Sequence, residues 1–236
     1  MMLLLSTGLM GSNCVAALAS GGLDSCVMIA SLAQSHRRVI PVYVRCGLAW
    51  EDAEVECLAH FIESMGHPCV EAPHIMGLPM DDVYYGLWHT TGSAIPGYNE
   101  PDEHWEIPGR NLILIVKLAV WCRLNDVSSI ALGTLSTNPF PDASPEFFSL
   151  LRETLRHGLN FPFQLLAPLS GFEKSDVIRM GEGLPLALTL SCAQPQEKMH
   201  CGACGKCKER IEAFVKAGTL DRTLYAMPPT GQDRLG

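Results

Sequence analysis

The chain has 236 residues, 25 acidic against 17 basic side chains for a net charge of −8, and 47% hydrophobic residues against 18% charged. That length buries a full core and that composition is globular, which excludes a disordered majority. The acidic balance excludes a surface built to coat nucleic acid, because phosphate binding requires a basic face that releases counterions, and no run reaches the roughly 18 to 20 apolar residues that span a bilayer.

The opening run MMLLLSTGLMGSNC is apolar but carries no Lys or Arg. It is therefore expected as an edge strand rather than a secretory leader, and the protein as soluble and cytoplasmic. Residues 15–19 read as a buried strand, 25–33 as a helix and 38–44 as the next strand. In the following helix Trp50, Ala53, Cys57, Leu58, Phe61 and Ile62 share one face, Glu51, Asp52, Glu54 and Glu63 fall largely on the other, and Gly66 is a stop. A third strand is expected at 69–75. Residues 74–107 have no clear period and are rich in Gly, Pro, Asp, His and Trp, as lids and binding loops are. Then come a helix at 109–125, a buried strand at 128–134, a helix at 144–158 capped near Ser144, a strand at 163–169 and a helix at 173–184. There is no repeat and no low-complexity tract. Strands alternating with helices imply an α/β fold, a doubly wound parallel sheet covered on both faces, with ligands at the carboxyl ends of the strands.

One such end carries SGGLDS, residues 20–25. Gly21 and Gly22 let the backbone turn tightly against a ligand, and the following helix offers unpaired N–H groups and a positive dipole end to an anion. Ser20 and Ser25 add hydroxyls. Asp24 would repel phosphate unless it reaches a Mg2+ ion or a water of its shell, so the set points to a metal-complexed polyphosphate. A plain strand-to-helix turn needs one glycine and one cap residue, not the whole string. The string lacks the Gly-Lys-Ser/Thr ending of a Walker loop and the spacing of the dinucleotide fingerprint. It matches the PP-loop signature Ser-Gly-Gly-x-Asp-Ser, in which Ser20, Gly21, Gly22, Leu23, Asp24 and Ser25 hold the β- and γ-phosphates of ATP. That resemblance implies a Rossmann-like fold of the adenine nucleotide alpha hydrolase type. It also implies chemistry at the α-phosphate: pyrophosphate leaves as AMP joins a substrate oxygen, and a nitrogen or sulfur nucleophile then attacks the adenylated carbon.

Of ten cysteines, four crowd into one segment as Cys192, Cys201, Cys204 and Cys207, which points to metal in a reducing compartment rather than disulfides. Four thiolates suit a tetrahedral Zn2+ that folds the segment; an iron–sulfur cluster is the competitor, and His200 a conceivable substitute ligand. Cys14, Cys26, Cys46, Cys57, Cys69 and Cys122 are expected as small buried hydrophobes. The expected division is a nucleotide-binding domain over 1–190 and a zinc-binding segment over 191–236 packed on it.

Taken in order, SGGLDS, PGRN at 108–111, the G, FPD and EFF elements from Gly133 to Phe148, EKSD at 173–176 and the cysteine run ending at Arg210 resemble the QueC (ExsB) family of 7-cyano-7-deazaguanine synthases. The resemblance implies a homodimeric, zinc-containing, magnesium-dependent ATP-dependent ligase. It would convert 7-carboxy-7-deazaguanine and ammonia to the nitrile through an amide, on the route to modified tRNA bases. Carried over by position, Asp24, Arg110 and Lys174 are the catalytic candidates, the two cations neutralising phosphate or adenylate. Gly133, Asn111 and Asp142 join the nucleotide site, Asn111 otherwise being a helix cap and Asp142 a turn residue.

Two loops depart from the family pattern. VRCGLAW, residues 44–50, stands where Tyr-Gly-Gln-Arg-His is usual, and LSTNPFPD, residues 135–142, where Asp-Phe-Ser-Gly-Tyr-Pro-Asp is. Activation of a substrate by ATP is thus better marked than the acceptor. The adenylated deazaguanine could pass to another amine, such as one on a protein in an antiviral system. A tRNA thiolase would prefer a basic surface, and a non-catalytic zinc-stabilised nucleotide module would show no ATP–pyrophosphate exchange.

Overall fold

The computed structural model describes residues 13–197 and 199–227, so residues 1–12 of the expected edge strand lie outside the described residues. The elements run β1 (Cys14–Leu18), α1 (Leu23–Ala33), β2 (Arg38–Arg45), α2 (Glu51–Met65), β3 (His74–Gly77), α3 (Trp88–Thr91), α4 (Arg110–Leu124), β4 (Ser129–Leu132), α5 (Pro145–Gly158), β5 (Gln164–Leu166), α6 (Lys174–Met180) and α7 (Gly205–Ala217). Among the described residues the strands form one parallel sheet in the order β3-β2-β1-β4-β5. Alternate residues of the inner strands enter two cores. Ala16, Val42 and Ile130 pack with Ile115 and Leu118 of α4 and Leu151 of α5. Val15, Tyr43 and Ala131 pack on the opposite face with Ile29 of α1, Phe61 of α2, Ile178 of α6 and Phe214 of α7. Burial on both faces is why these strands read as unbroken apolar runs.

Helix limits follow local chemistry. Gly66 ends α2 in the left-handed conformation, and Ser144 caps α5 by accepting the Phe147 N–H, with Pro145 in the first turn. α1 starts at Leu23, two residues before the expected start, which places Asp24 in its first turn.

Five expectations need correction. The third strand is not at 69–75: Val70 forms an isolated bridge to Val39, and continuous pairing resumes only at His74 opposite Val42. Pro73 has no N–H to give the ladder. The strand at 163–169 shortens to Gln164–Leu166, ahead of Pro168, and the helix expected to 184 stops at Met180 before Gly181 and Gly183. The cysteine segment continues into α7, which the sequence reading did not assign. Finally, Glu51 and Glu54 do not face solvent. They are 5% and 7% exposed.

The 74–107 excursion is packed rather than loose, with Tyr84, His89, Trp105 and Ile107 buried. Ala49 N–H donates to the His89 carbonyl at 2.9 Å, and Gly97 pairs with Cys204 in an isolated bridge. Gly205, first residue of α7, lies so close to Trp105 that a Cβ there would come within 2.9 Å of the indole. Among the described residues no helix is long and apolar enough to cross a membrane.

Candidate active site

The loop between β1 and α1 is tied by its own hydroxyls. Ser25 Oγ accepts the Ser20 N–H at 3.2 Å and donates to the Gly22 carbonyl at 3.0 Å, while Ser20 Oγ accepts the Gly22 N–H at 3.3 Å. Leu23 is buried in the core and anchors the turn, leaving only backbone atoms for a ligand. Gly21 has φ +71, and a Cβ there would sit 2.2 Å from the Glu54 carbonyl oxygen of α2. Gly133, following β4, would place a Cβ 3.3 Å from Ser25 Cα, so that strand end closes directly on the first turn of α1. Gly21→Ala is accordingly expected to displace the loop from α2. The variant should lose ATP binding and melt lower, at a cost of about 1 to 3 kcal/mol from backbone strain alone; calorimetric titration with ATP checks it.

Charge at the loop comes from two distant segments. Lys174 Nζ, at the start of α6, lies 3.2 Å from Asp24 Oδ2 and 2.6 Å from Glu209 Oε1 of α7. Lys206 Nζ is 3.1 Å from the other Glu209 oxygen and stands over the Trp105 ring. Burial lowers the Lys174 pKa, but Asp24 and Glu209 outweigh it and the net shift is upward, so the ammonium stays charged. Burial works against ionisation of Glu209 too, yet Lys174 and Lys206 hold it at about 2. Desolvation pushes the Asp24 carboxyl up, against the pull of Lys174. Asp24 Oδ1 is buried and has no hydrogen-bond partner. A buried hard oxygen donor without a partner at the phosphate loop fits a magnesium ion, which takes oxygen ligands. Sequence reasoning missed Lys206 and Glu209; their only signal was a position two residues after Cys204 and two after Cys207.

Beside the loop, between α2, the excursion and the cysteine segment, lies a slot of about 130 Å³. Its walls include Trp50, Trp88 and Trp105, with Glu54, Arg110, Ser191 and Lys206 as its polar residues. Trp50 and Trp88 stack with centroids 5.7 Å apart and planes 17° from parallel, and Trp105 meets Trp88 edge-on at 5.3 Å. Trp50 belongs to the 44–50 loop that departs from the family pattern. Glu51 fixes that loop by accepting the N–H groups of Cys46 and Gly47 at 2.5 and 3.1 Å. Tyr43 OH donates to Glu54 Oε2 at 2.6 Å. Burial raises the Glu54 pKa to about 7, although Arg110 and the Tyr43 hydrogen bond pull it down.

The folded pKa exceeds the unfolded one, so Glu54 leaves stability untouched in acid. It subtracts stability as pH climbs from the unfolded value of about 4.3 to about 7. Glu54→Gln should therefore gain melting temperature over the native chain between pH 5 and pH 7.5. A pH series of melting curves checks this.

Arg110 opens α4 after Gly109, and its Nε is buried without a partner. Asn111 and Asp142 are clasped to each other. Asp142 Oδ2 accepts the Asn111 N–H at 2.8 Å, and Asn111 Nδ2 donates to Asp142 Oδ1 and to its carbonyl, both at 3.2 Å. The carboxylate thus sits on the positive end of α4 and fixes the turn that presents Arg110. A larger cavity of about 430 Å³ opens beyond β4, floored by Leu132 and Phe148, with Arg152 and Ser170 on its rim; residues 20–25 line neither it nor the slot, which reaches the loop through the Glu54 backbone against Gly21.

The sulfurs of Cys192, Cys201, Cys204 and Cys207 lie within 4.8 Å of one another. Cys207 Sγ is 3.5 Å from Cys204 Sγ and 3.8 Å from Cys201 Sγ. A tetrahedron with metal–sulfur bonds of roughly 2.3 Å has edges of about 3.8 Å, so the residues fit one metal ion. Backbone N–H groups of Cys201 and Gln194 point at Cys192 Sγ, at 3.2 and 3.3 Å, as they would toward a thiolate. His200 stands apart from this group: its Nε2 accepts the Ser191 N–H at 3.0 Å, and burial with Arg210 nearby lowers its pKa to about 3. Arg210 is fully buried and donates to Thr189 and Thr223 hydroxyls, each at 2.9 Å, to Ser191 Oγ at 3.1 Å and to the Leu186 carbonyl at 2.8 Å. It binds α7 to the stretch whose Leu190 N–H holds the Gly21 carbonyl at 2.9 Å.

Comparison with known proteins agrees with this arrangement. The 7-cyano-7-deazaguanine synthase of Methanothrix thermoacetophila is 30% identical over 223 residues, covering 88% of this chain and 96% of its own. That of Brucella anthropi is 30% identical over 220 residues, covering 87% and 90%. Among solved structures, the U34-tRNA thiolase NcsA from Methanococcus maripaludis, with its 4Fe-4S cluster, superposes over 95% of this chain and 78% of its own with a TM-score of 0.50 at 15% identity, a likeness of fold. Residues 14–218 match the family described as Queuosine biosynthesis protein QueC. The loop, the sheet order and the four-cysteine segment all fall within that match, and the chain belongs to the QueC family as a divergent member.

Proposed function

We propose that the protein is an ATP-dependent ligase that adenylates 7-carboxy-7-deazaguanine and joins the activated carbon to ammonia, passing through the amide to 7-cyano-7-deazaguanine. The observation that carries this reading is the juxtaposition of the SGGLDS loop with a small aromatic slot holding Glu54 and Arg110, in a chain whose relatives are named for that product. A substrate carboxylate oxygen attacks the α-phosphorus of ATP, the bond to the bridging oxygen breaks, and pyrophosphate leaves. Ammonia then attacks the acyl carbon, AMP departs with its oxygen, and the ammonium proton goes to solvent. In the second round the amide oxygen is adenylated, and loss of AMP and two protons gives the nitrile.

The chain's part is electrostatic. The first-turn N–H groups of α1 and the Ser20 and Ser25 hydroxyls receive charge that builds on the departing pyrophosphate. Lys174 supplies a fixed ammonium, and Arg110 offers two-point binding to the substrate carboxylate. A magnesium ion held at Asp24, when bound, neutralises the β- and γ-phosphates. The close approach of all four sulfurs supports one Zn2+ over an iron–sulfur cluster, whose thiolates are shared among two or four irons and do not all meet at one. With four thiolates such a site has no open position, so its role is to fold the segment.

Incubation with ATP, ammonia and the carboxylated base, followed by mass spectrometry, tests the reading. Amide followed by nitrile is expected, with one pyrophosphate released at each stage. No pyrophosphate with this base would reject it. Arrest at the adenylate until a peptide amine is added would instead identify a different acceptor.

A further inference from the structure

We infer that Glu54 reads the hydrogen-bonding edge of the substrate's base, which lies against the tryptophans of the slot with its anionic substituent toward Arg110. This rests on the reading that the substrate is a carboxylated, guanine-like base, and it adds how that base is told apart from the adenine of ATP.

Glu54 is a carboxylate 7% exposed, and the only acidic side chain among the residues lining the slot, which it shares with three indoles, Arg110 and Lys206. Among the described residues it forms no ion pair; its through-space cation is Arg110, which lines the same slot. Burying a carboxylate in such surroundings is unfavourable unless donors meet it; Tyr43 supplies one, to Oε2, and the Trp50 side chain a second. A carboxylate offers about four acceptor sites over its two oxygens, so capacity remains for a ligand. The chemistry that fills it is a pair of parallel N–H donors. A 2-amino-4-oxo pyrimidine ring presents these as a ring N–H beside an exocyclic amine. Adenine presents a ring-nitrogen lone pair at that edge, which a carboxylate repels. Tyr43 lies on β2 and Glu54 on the first turn of α2, with Glu51 pinning the loop between them, so the reader is held on rigid elements. At another part of the slot the buried, unpartnered Arg110 Nε is a donor with nothing to meet until an anion enters.

Three of the four tryptophans line the slot, so quenching of intrinsic fluorescence reports occupancy without turnover. The native chain is titrated with 7-carboxy-7-deazaguanine, with the same base lacking its 2-amino group, and with adenine, at saturating non-hydrolysable ATP analogue. The expected result is strong quenching by the first, binding roughly tenfold to hundredfold weaker for the second, and none for the third. Glu54→Gln should weaken the first by a similar factor and erase the difference between the first two, with ATP affinity unchanged. Tyr43→Phe, which keeps the carboxylate, should retain the discrimination and serves if the Gln variant does not fold. Discrimination that survives in Glu54→Gln, or is lost in Tyr43→Phe with the carboxylate present, would overturn the role of Glu54 and leave the proposed reaction standing. Binding of the base, seen by calorimetry, without quenching would place it outside the slot. If the native chain binds no carboxylated base at all, the proposed function falls, and this inference with it.

Discussion

Asp24→Ala is expected to cut pyrophosphate release by at least about a hundredfold while the fold stands. The fold survives because Lys174, the cation left behind, keeps Glu209 at 2.6 Å, so no buried ammonium is stranded. Activity falls because Asp24 is the carboxylate at the loop, and its unpartnered Oδ1 is the atom available to a cation that accompanies the phosphates. Asp24→Asn sharpens the test, since it preserves shape and removes charge; it should fail nearly as badly as alanine. Pyrophosphate release at saturating ATP, read beside a melting curve, gives the answer. Native turnover in either variant would rule out the cation-holding role.

The second large effect belongs to the cysteines. Cys204→Ser, or exhaustive chelation of the native chain, should remove the metal, lower the melting temperature sharply and cost solubility before it alters substrate choice. Cys204 sits at the N-terminus of α7, and that helix carries Arg210 with its four acceptors, three of them buried. Loosening α7 strands a fully buried guanidinium, a loss of about 3 to 5 kcal/mol. Activity should follow, because the same helix presents Glu209 to Lys174. Metal content, melting and turnover are to be measured on one preparation. A soluble, metal-free and fully active variant would overturn a structural role for the ion.

Much of this was legible before any coordinates. Val15 to Leu18, Val39 to Val44 and Ile130 to Leu132 announce themselves as strands because both faces are covered, and SGGLDS as a phosphate loop because no ordinary turn needs its residues. Glu51 and Glu54 were misplaced for a definite reason. Helical period tells which residues share a face of α2, but not that its first turn packs under the 46–50 loop, where Glu51 accepts two loop N–H groups and Glu54 lines the slot. The excursion defeated periodicity because single anchors, Tyr84, His89, Trp105 and Ile107, bury it instead of one continuous face. The third strand slipped because Val70 and Val39 do touch, but one extra residue separates that bridge from the ladder that begins at His74 opposite Val42, and Pro73 in between has no N–H to give. In α7 the apolar pair Ile211 and Phe214 carried a helical signal that the neighbouring thiols overshadowed.

The site is stitched from segments far apart in sequence: Gly21 is held by Leu190, and Asp24 is linked through Lys174 to Glu209. During translation the nucleotide loop leaves the ribosome long before its partners exist, so every newborn chain passes through an interval in which that loop is unbraced and no catalysis is possible. Closing so long a span makes assembly slow. The four thiols that could hold a metal ion lie on that later segment, so an ion bound there would brace α7 against the loop only after both had been made.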